Sequence, residues 1–158
     1  VALGVTAAIA ARYGAGYFTG KGTMAGRVVF PFHDDGGRVI GYAGYEAHDR
    51  SWKYPAADKF NPARAVFGMY QAKDDGAGVD MLAVCRTPLA ALQYRSAYPA
   101  VIPIAITTDT LSAYQEAVVS DLMNGREQLL FIAAREDLHA IDILGRLLER
   151  YFVKYVRT

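Results

Sequence analysis

The feature that most restricts the fold of this chain is the strand–helix alternation of its second half. It starts at Val79-Asp80-Met81-Leu82-Ala83-Val84-Cys85-Arg86-Thr87-Pro88-Leu89. Apolar residues fill Met81 to Val84, a run short enough for a buried strand. Thr87-Pro88 then opens a helix, with proline at the first helical position. A helix over Leu89–Ala97, a strand over Val101–Ile106 and a helix from about Leu111 to Leu122, capped by Thr110 or Ser112, are expected next. A strand over Gln128–Ala133, a helix over Glu136–Arg150 and a strand over Tyr151–Val156 complete the series. The last helix is expected to bury Leu138, Ile141, Leu144 and Leu148. Such spacing means a parallel sheet covered by helices and joined by right-handed crossovers. Ligands gather at the carboxyl ends of strands in sheets of this kind, so Cys85-Arg86-Thr87 is the first place to look for chemistry.

The first half reads differently. Thr6 can cap a helix over Ala7–Tyr13, and Gly14 ends it. Gly14 to Gly26 is rich in glycine and aromatic residues. A phosphate loop would need a following helix and a Gly-Lys-Ser/Thr, and neither is there, so the stretch reads as a connection into a sheet. Arg27–Phe32 and Arg38–Gly44 are two strands of a hairpin whose turn, His33-Asp34-Asp35-Gly36-Gly37, suits a primed geometry. His33, Asp34 and Asp35 could be offered to a metal, but polar residues at a hairpin tip usually serve the turn itself. Tyr45 to Pro62 is polar and places Arg50, Trp52, Lys53, Tyr54 and Lys59 together, the mixture of cations and flat rings that single-stranded nucleic acid favours. A helix over Ala63–Lys73 follows, and Asp74-Asp75-Gly76-Ala77-Gly78 is the best internal boundary. The fold class is therefore α/β: a small mixed subdomain over residues 1–75, then a βαβαβαβ parallel sheet over 78–158.

Composition bounds function. A net charge of +1 leaves no whole-chain basic field, so a nucleic-acid surface must be a local patch. One cysteine excludes an internal disulfide framework or a cysteine-rich zinc site, and fits a reducing cytoplasm. No apolar run approaches the roughly 20 residues a bilayer requires, and no membrane role is expected. Beginning at Val1 without methionine, the sequence reads as excised from something longer.

Gly26-Arg27-Val28-Val29-Phe30-Pro31-Phe32, Asp35-Gly36-Gly37-Arg38-Val39-Ile40-Gly41-Tyr42-Ala43-Gly44, Lys53-Tyr54 and Phe60-Asn61-Pro62-Ala63-Arg64-Ala65-Val66-Phe67-Gly68-Met69-Tyr70 carry a resemblance. Together they resemble the catalytic core of bacterial-type DNA primases, which ends in a TOPRIM domain, and the opening Leu3-Gly4-Val5-Thr6 through Tyr13-Gly14-Ala15-Gly16-Tyr17 is similar to the link preceding this region in plasmid- and phage-type or mobile-element relatives. The resemblance implies a metal-binding glutamate at the end of the first parallel strand and an Asp-x-Asp after a later one. Two divalent cations holding a triphosphate need such hard, charged oxygen ligands. Here Cys85 stands at the glutamate position, Arg86 at the following glycine, and Leu89 at an aspartate four residues on. The Asp-x-Asp aligns with Arg135-Glu136-Asp137, with Asp142 a turn later, and Thr108 replaces a loop glycine. Tyr45 and Pro62 replace two basic residues usual in the family.

Three readings follow. In the first the domain is catalytically degenerate and binds single-stranded DNA, a DNA/RNA template or replication proteins. Its surface is then Arg27, Arg38, Arg50, Trp52, Lys53, Tyr54, Lys59, Arg64 and Arg86, the last at the start of a helix. In the second it is an active nucleotidyltransferase with a rearranged site, taking Mg²⁺ or Mn²⁺ near Glu136, Asp137 and Asp142. In the third it is a scaffold with an apolar docking face. Cys85 as a nucleophile would need a base, and His33, His48 and His139 are not placed to supply one, so a small apolar filler is the plainer reading.

Overall fold

The computed structural model describes residues 3–158. Its first half opens with helix α1 (Ala7–Tyr13), capped by the Thr6 hydroxyl, which accepts from the amide of Ile9, and closed by Gly14 at φ +71°. Four antiparallel strands follow: β1 (Gly16–Tyr17), β2 (Val28–His33), β3 (Val39–Glu46) and β4 (Ser51–Lys53), in the order β1-β2-β3-β4. The β2–β3 connection is not a primed turn. Gly37 alone takes a positive φ there, and Asp34 accepts from the amides of Gly36 and Arg38. A bulge at Phe32/His33 absorbs the extra residue, which is how a type I turn fits the strand twist.

The expected helix from Ala63 to Lys73 is broken into three pieces. Pro62–Arg64 forms a single 3₁₀ turn, Ala65 to Phe67 is extended, and helix α2 runs over Met69–Asp75. The break has a tertiary cause. Phe67 exchanges two backbone hydrogen bonds with Ala105, at 3.0 and 2.9 Å, and its buried ring contacts Tyr13, Phe30 and Phe32. Gly68, at φ +83°, then redirects the chain into α2. A fully buried ring of this size contributes ~2–3 kcal/mol, more than the helical propensity it displaces.

The second half contains β5 (Met81–Cys85), α3 (Pro88–Ala97), β6 (Val101–Ala105), α4 (Ala113–Met123), β7 (Gln128–Ala133), α5 (Ala140–Leu148) and β8 (Phe152–Arg157). All four strands are parallel, in the order β6-β5-β7-β8. Pro103 is tolerated in β6 because that strand lies at the edge of the ladder. Alternation along β5 sends Leu82 and Val84 to one face, beneath α2, α4 and α5, and Ala83 and Cys85 to the other. There α3 and the rings of the antiparallel sheet cover them. The two halves thus share a core.

Helix α5 departs from expectation twice. It starts at Ala140 rather than Glu136, and it buries Ala140, Ile143 and Leu147. Leu138 and Ile141 are 88% and 66% exposed. Ala140, Ile143, Leu144 and Leu147 follow the i, i+3, i+4, i+7 repeat from the true helix start, and that repeat meets the sheet. Among the described residues, no helix is long and apolar enough to cross a membrane.

Candidate functional site

Because β5 leads to β6 on one side and β7 leads to β8 on the other, the strand order reverses between β5 and β7. The crevice at their carboxyl ends is the place this architecture offers a ligand. A cavity of about 290 Å³ lies there, walled in part by Arg86, Thr87, Ala134, Glu136 and Asp137. A larger cavity of about 490 Å³ opens at the opposite end of the strands, where Arg126 donates to the carbonyls of Val79, Leu122 and Gly76. Its guanidinium ties the last turn of α4 to the loop before β5.

The crevice is organised by Arg86. Its Nε donates to Asp137 Oδ2 at 2.8 Å, and Nη1 donates to the carbonyls of Ile106 at 2.5 Å and Thr108 at 2.7 Å. One side chain therefore joins the loops after β5, β6 and β7. Only 11% of the Arg86 side chain and 15% of the Asp137 side chain are exposed. Charge-assisted bonds in so dry a place are the strong kind, and the two carbonyls occupy donors the carboxylate leaves over. Asp137 Oδ1 also accepts from the amide of His139 at 3.1 Å. These two ties hold residues 136–139 in turns and delay α5.

The network runs on. Thr108 meets Gln115, whose side chain is fully buried, caps Ser112 and donates to the Pro62 carbonyl at 3.1 Å. The Ser112 hydroxyl donates to the Ala63 carbonyl at 2.6 Å. A hydrogen-bonded path thus leads from the crevice into the first half of the chain.

A divalent cation has poor prospects here. Asp137 already spends one oxygen on Arg86 and the other on His139. Glu136 is exposed, Asp142 is exposed in the first turn of α5, and Leu89 is buried and apolar. Among the described residues no three His, Cys, Asp or Glu side chains converge. With a guanidinium as nearest neighbour, the donor set does not fit Mg²⁺ or Mn²⁺. Cys85 is fully buried on the other face of β5, and burial pushes its thiol up to about 12, so it supplies no thiolate.

The basic and aromatic segment is distributed over two faces. Trp52 and Tyr54 turn inward: Trp52 packs on Tyr45 at 4.9 Å between ring centres, and Tyr54 stacks on Phe60 at 6.4 Å. Burial raises the Tyr54 phenol, with Thr107 and the Arg86 charge pulling it back. Arg64 lies 5.2 Å over the Tyr114 ring, and Arg38 lies 3.6 Å from Asp34. Arg27 donates to the oxygens of Ser51 at 3.4 Å. Arg50, Lys53 and Lys59 are exposed and, among the described residues, enter no ion pair. Two features escaped the sequence: the partnership of Arg86 with a residue 51 positions away, and Tyr42, whose ring faces outward from β3. Alternation of Ile40 and Tyr42 against Gly41 and Ala43 was the available signal for the latter.

An antiparallel sheet packed on a four-stranded parallel sheet is the architecture of the DNA primase catalytic core with its TOPRIM-type half. Superposition on solved structures agrees. The DnaG catalytic core matches at TM-score 0.75 and 18% identity over 99% of this chain and 62% of that one. The Aquifex aeolicus primase (zinc-binding and RNA polymerase domains) matches at TM-score 0.75 and 19% identity, over 99% of this chain and 48% of that one. A DnaG primase catalytic domain bound to ssDNA matches at TM-score 0.74 and 17% identity, over 99% of this chain and 63% of that one.

In sequence, a 61-residue segment is 39% identical to the DNA primase of Escherichia coli (strain K12), covering 37% of this chain and 10% of that protein. A 49-residue segment is 41% identical to the DNA primase of Buchnera aphidicola subsp. Acyrthosiphon pisum (strain APS), covering 29% of this chain and 8% of that protein. The matched segments are thus a tenth or less of those relatives, and the chain spans about three fifths of the solved DnaG core, at 62%. No family model matches the chain.

Proposed function

We propose that this chain is a primase-type core that binds single-stranded nucleic acid without polymerising nucleotides, as one part of a larger replication or mobile-element protein. The observation that carries the reading is the Arg86–Asp137 pair at the switch point. A cation supplied by the chain itself occupies the crevice and takes the carboxylate that a metal would need. Losing the charged contacts that steady a transition state typically slows a reaction by two or more orders of magnitude.

Binding has separate support. Exposed Arg50, Lys53 and Lys59 and the half-buried Arg27 lie on one half of the molecule, and a solved structure of the same fold carries ssDNA. Replication proteins are natural neighbours for such a module. The competing reading, an Mg²⁺- or Mn²⁺-dependent nucleotidyltransferase, has Asp137 in its favour, since a carboxylate does stand at the switch point. It would have to displace Arg86 first.

Titration of fluorescein-labelled single-stranded DNA at several salt concentrations tests the binding half. Affinity should fall with salt, with log K losing about 0.7 per phosphate neutralised for each unit of log salt. Affinity indifferent to salt, or no binding at micromolar protein, removes nucleic acid from the reading.

A further inference from the structure

The rings that composition singles out for base stacking are spent: Trp52 and Tyr54 give their faces to Tyr45, Phe60 and each other. The other face of the antiparallel sheet has a ring to spare. Gly41 points into the core, where a Cβ would collide with Phe60, and Ala43 is buried beside it. Ile40, Tyr42 and Gly44 therefore point outward. Tyr42 is 46% exposed. The absent side chain of Gly44 makes room for the Met24 thioether and for the Arg27 methylenes, which lie 3.0 Å from where its Cβ would stand. Lys53 is the register partner of Gly44 on β4 and shares that face. Past Met24 the surface sinks into a groove of about 360 Å³, whose walls include Met24, Ile40, Tyr42 and Lys59. Arg27 and Lys53 flank Gly44 on the Met24 side and Lys59 lines the groove. Among the described residues none of the three enters an ion pair, although, after hydrogen bonds from Ser51, the Arg27 charge helps to hold the Asp49 carboxyl below its usual range.

We infer that this outer groove seats one unpaired base of a single strand, stacked on Tyr42 with Met24 and Ile40 at its edge, while Arg27, Lys53 and Lys59 hold the flanking phosphates. The inference rests on the nucleic-acid reading above and assigns the strand to the outer face of the antiparallel sheet. A duplex would not serve, because its bases are already stacked and the groove admits a ring. A peptide along the edge of β3 would have less use for three cations clustered around one aromatic face. Positive charge beside an exposed ring is what an unpaired base and its phosphates recognise.

The test is fluorescence anisotropy of short labelled oligo(dT) with the whole chain and three variants, each checked for an unchanged thermal melt. Tyr42→Ala should weaken binding about tenfold, the scale of one lost stacking partner. Tyr42→Phe should bind as the parent does, since stacking needs no hydroxyl. Lys59→Ala should lower the slope of log K against log salt by about 0.7. If the parent binds and both Tyr42→Ala and Lys59→Ala match it, the groove is overturned while the nucleic-acid reading stands. If the parent does not bind, both fall. Preference for an extended acidic peptide over the oligonucleotide, lost in Tyr42→Ala, would assign the groove to a protein partner and overturn the inference as well.

Discussion

At the crevice a single guanidinium satisfies one oxygen of the Asp137 carboxylate and the carbonyls of Ile106 and Thr108. Arg86→Met should therefore cost about 3–5 kcal/mol, the usual penalty for orphaning one half of a buried pair, seen as a lower urea midpoint. The double variant Arg86→Met/Asp137→Leu should recover much of that loss, because both desolvated charges are gone. A double variant no more stable than Arg86→Met alone would mean that the carbonyl contacts, not the ion pair, hold the corner. Cys85 gives a simpler expectation. With its thiol buried and pushed up to about 12, it should resist a disulfide reagent at pH 8 in the native protein and react at once in denaturant. Fast native labelling would contradict the packing.

His33 supplies the pH dependence at this scale. Desolvation lowers its pKa below the ordinary value of 6.5, and its ring faces the Gln71 amide at 3.3 Å. A base with a depressed folded pKa binds fewer protons folded than unfolded. Its contribution is whole above pH 6.5 and is lost as pH falls toward the folded value. Chemical denaturation of the parent and of His33→Gln between pH 7.5 and 5 should show a shallower decline for the variant. Equal slopes would remove His33 from the account.

At the scale of elements, the parallel strands were legible because each is a short apolar run between turn signals, and the Thr87 and Ser112 caps stand where their hydroxyls suggested. What could not be read locally was decided by distant partners. The start of α5 depends on the tie between Asp137 and Arg86, 51 residues apart, and the break before α2 depends on a bridge to Ala105. The expected apolar face of α5 was a plausible stripe drawn from the wrong origin. Gly68 makes the second case testable. An added Cβ would sit 3.2 Å from the Pro103 carbonyl, on a residue already at φ +83°. Gly68→Ala should cost about 1–2 kcal/mol from the left-handed backbone alone, and more if the bridge loosens. A thermal melt within a degree of the parent would show that the connection adapts freely.

Over the whole molecule, fold and function parted company in legibility. The α/β architecture followed from periodicity, and the strand order reverses at the sheet corner where Cys85 and Arg86 stand. The chemistry there was not readable, because the sequence shows Cys85 and Arg86 side by side but not that one faces a dry core and the other a carboxylate. The basic and aromatic segment was legible in composition but not in packing: Trp52 and Tyr54 give ring faces to Tyr45 and Phe60, while Tyr42, marked only by the alternation of β3, stays exposed. The two halves share a core of stacked rings and a hydrogen-bonded path from Arg86 to Pro62, so the crevice is braced from both sides.

The central claim is that the chain's own cation has taken the place of a metal. Calorimetric titration of Mn²⁺ into the whole chain addresses it most directly. No saturable heat should appear up to millimolar cation, either in the parent or in Asp137→Asn. Saturable uptake in the parent that Asp137→Asn abolishes would show that the carboxylate is free to hold a divalent ion, and would return the domain to the nucleotide polymerases.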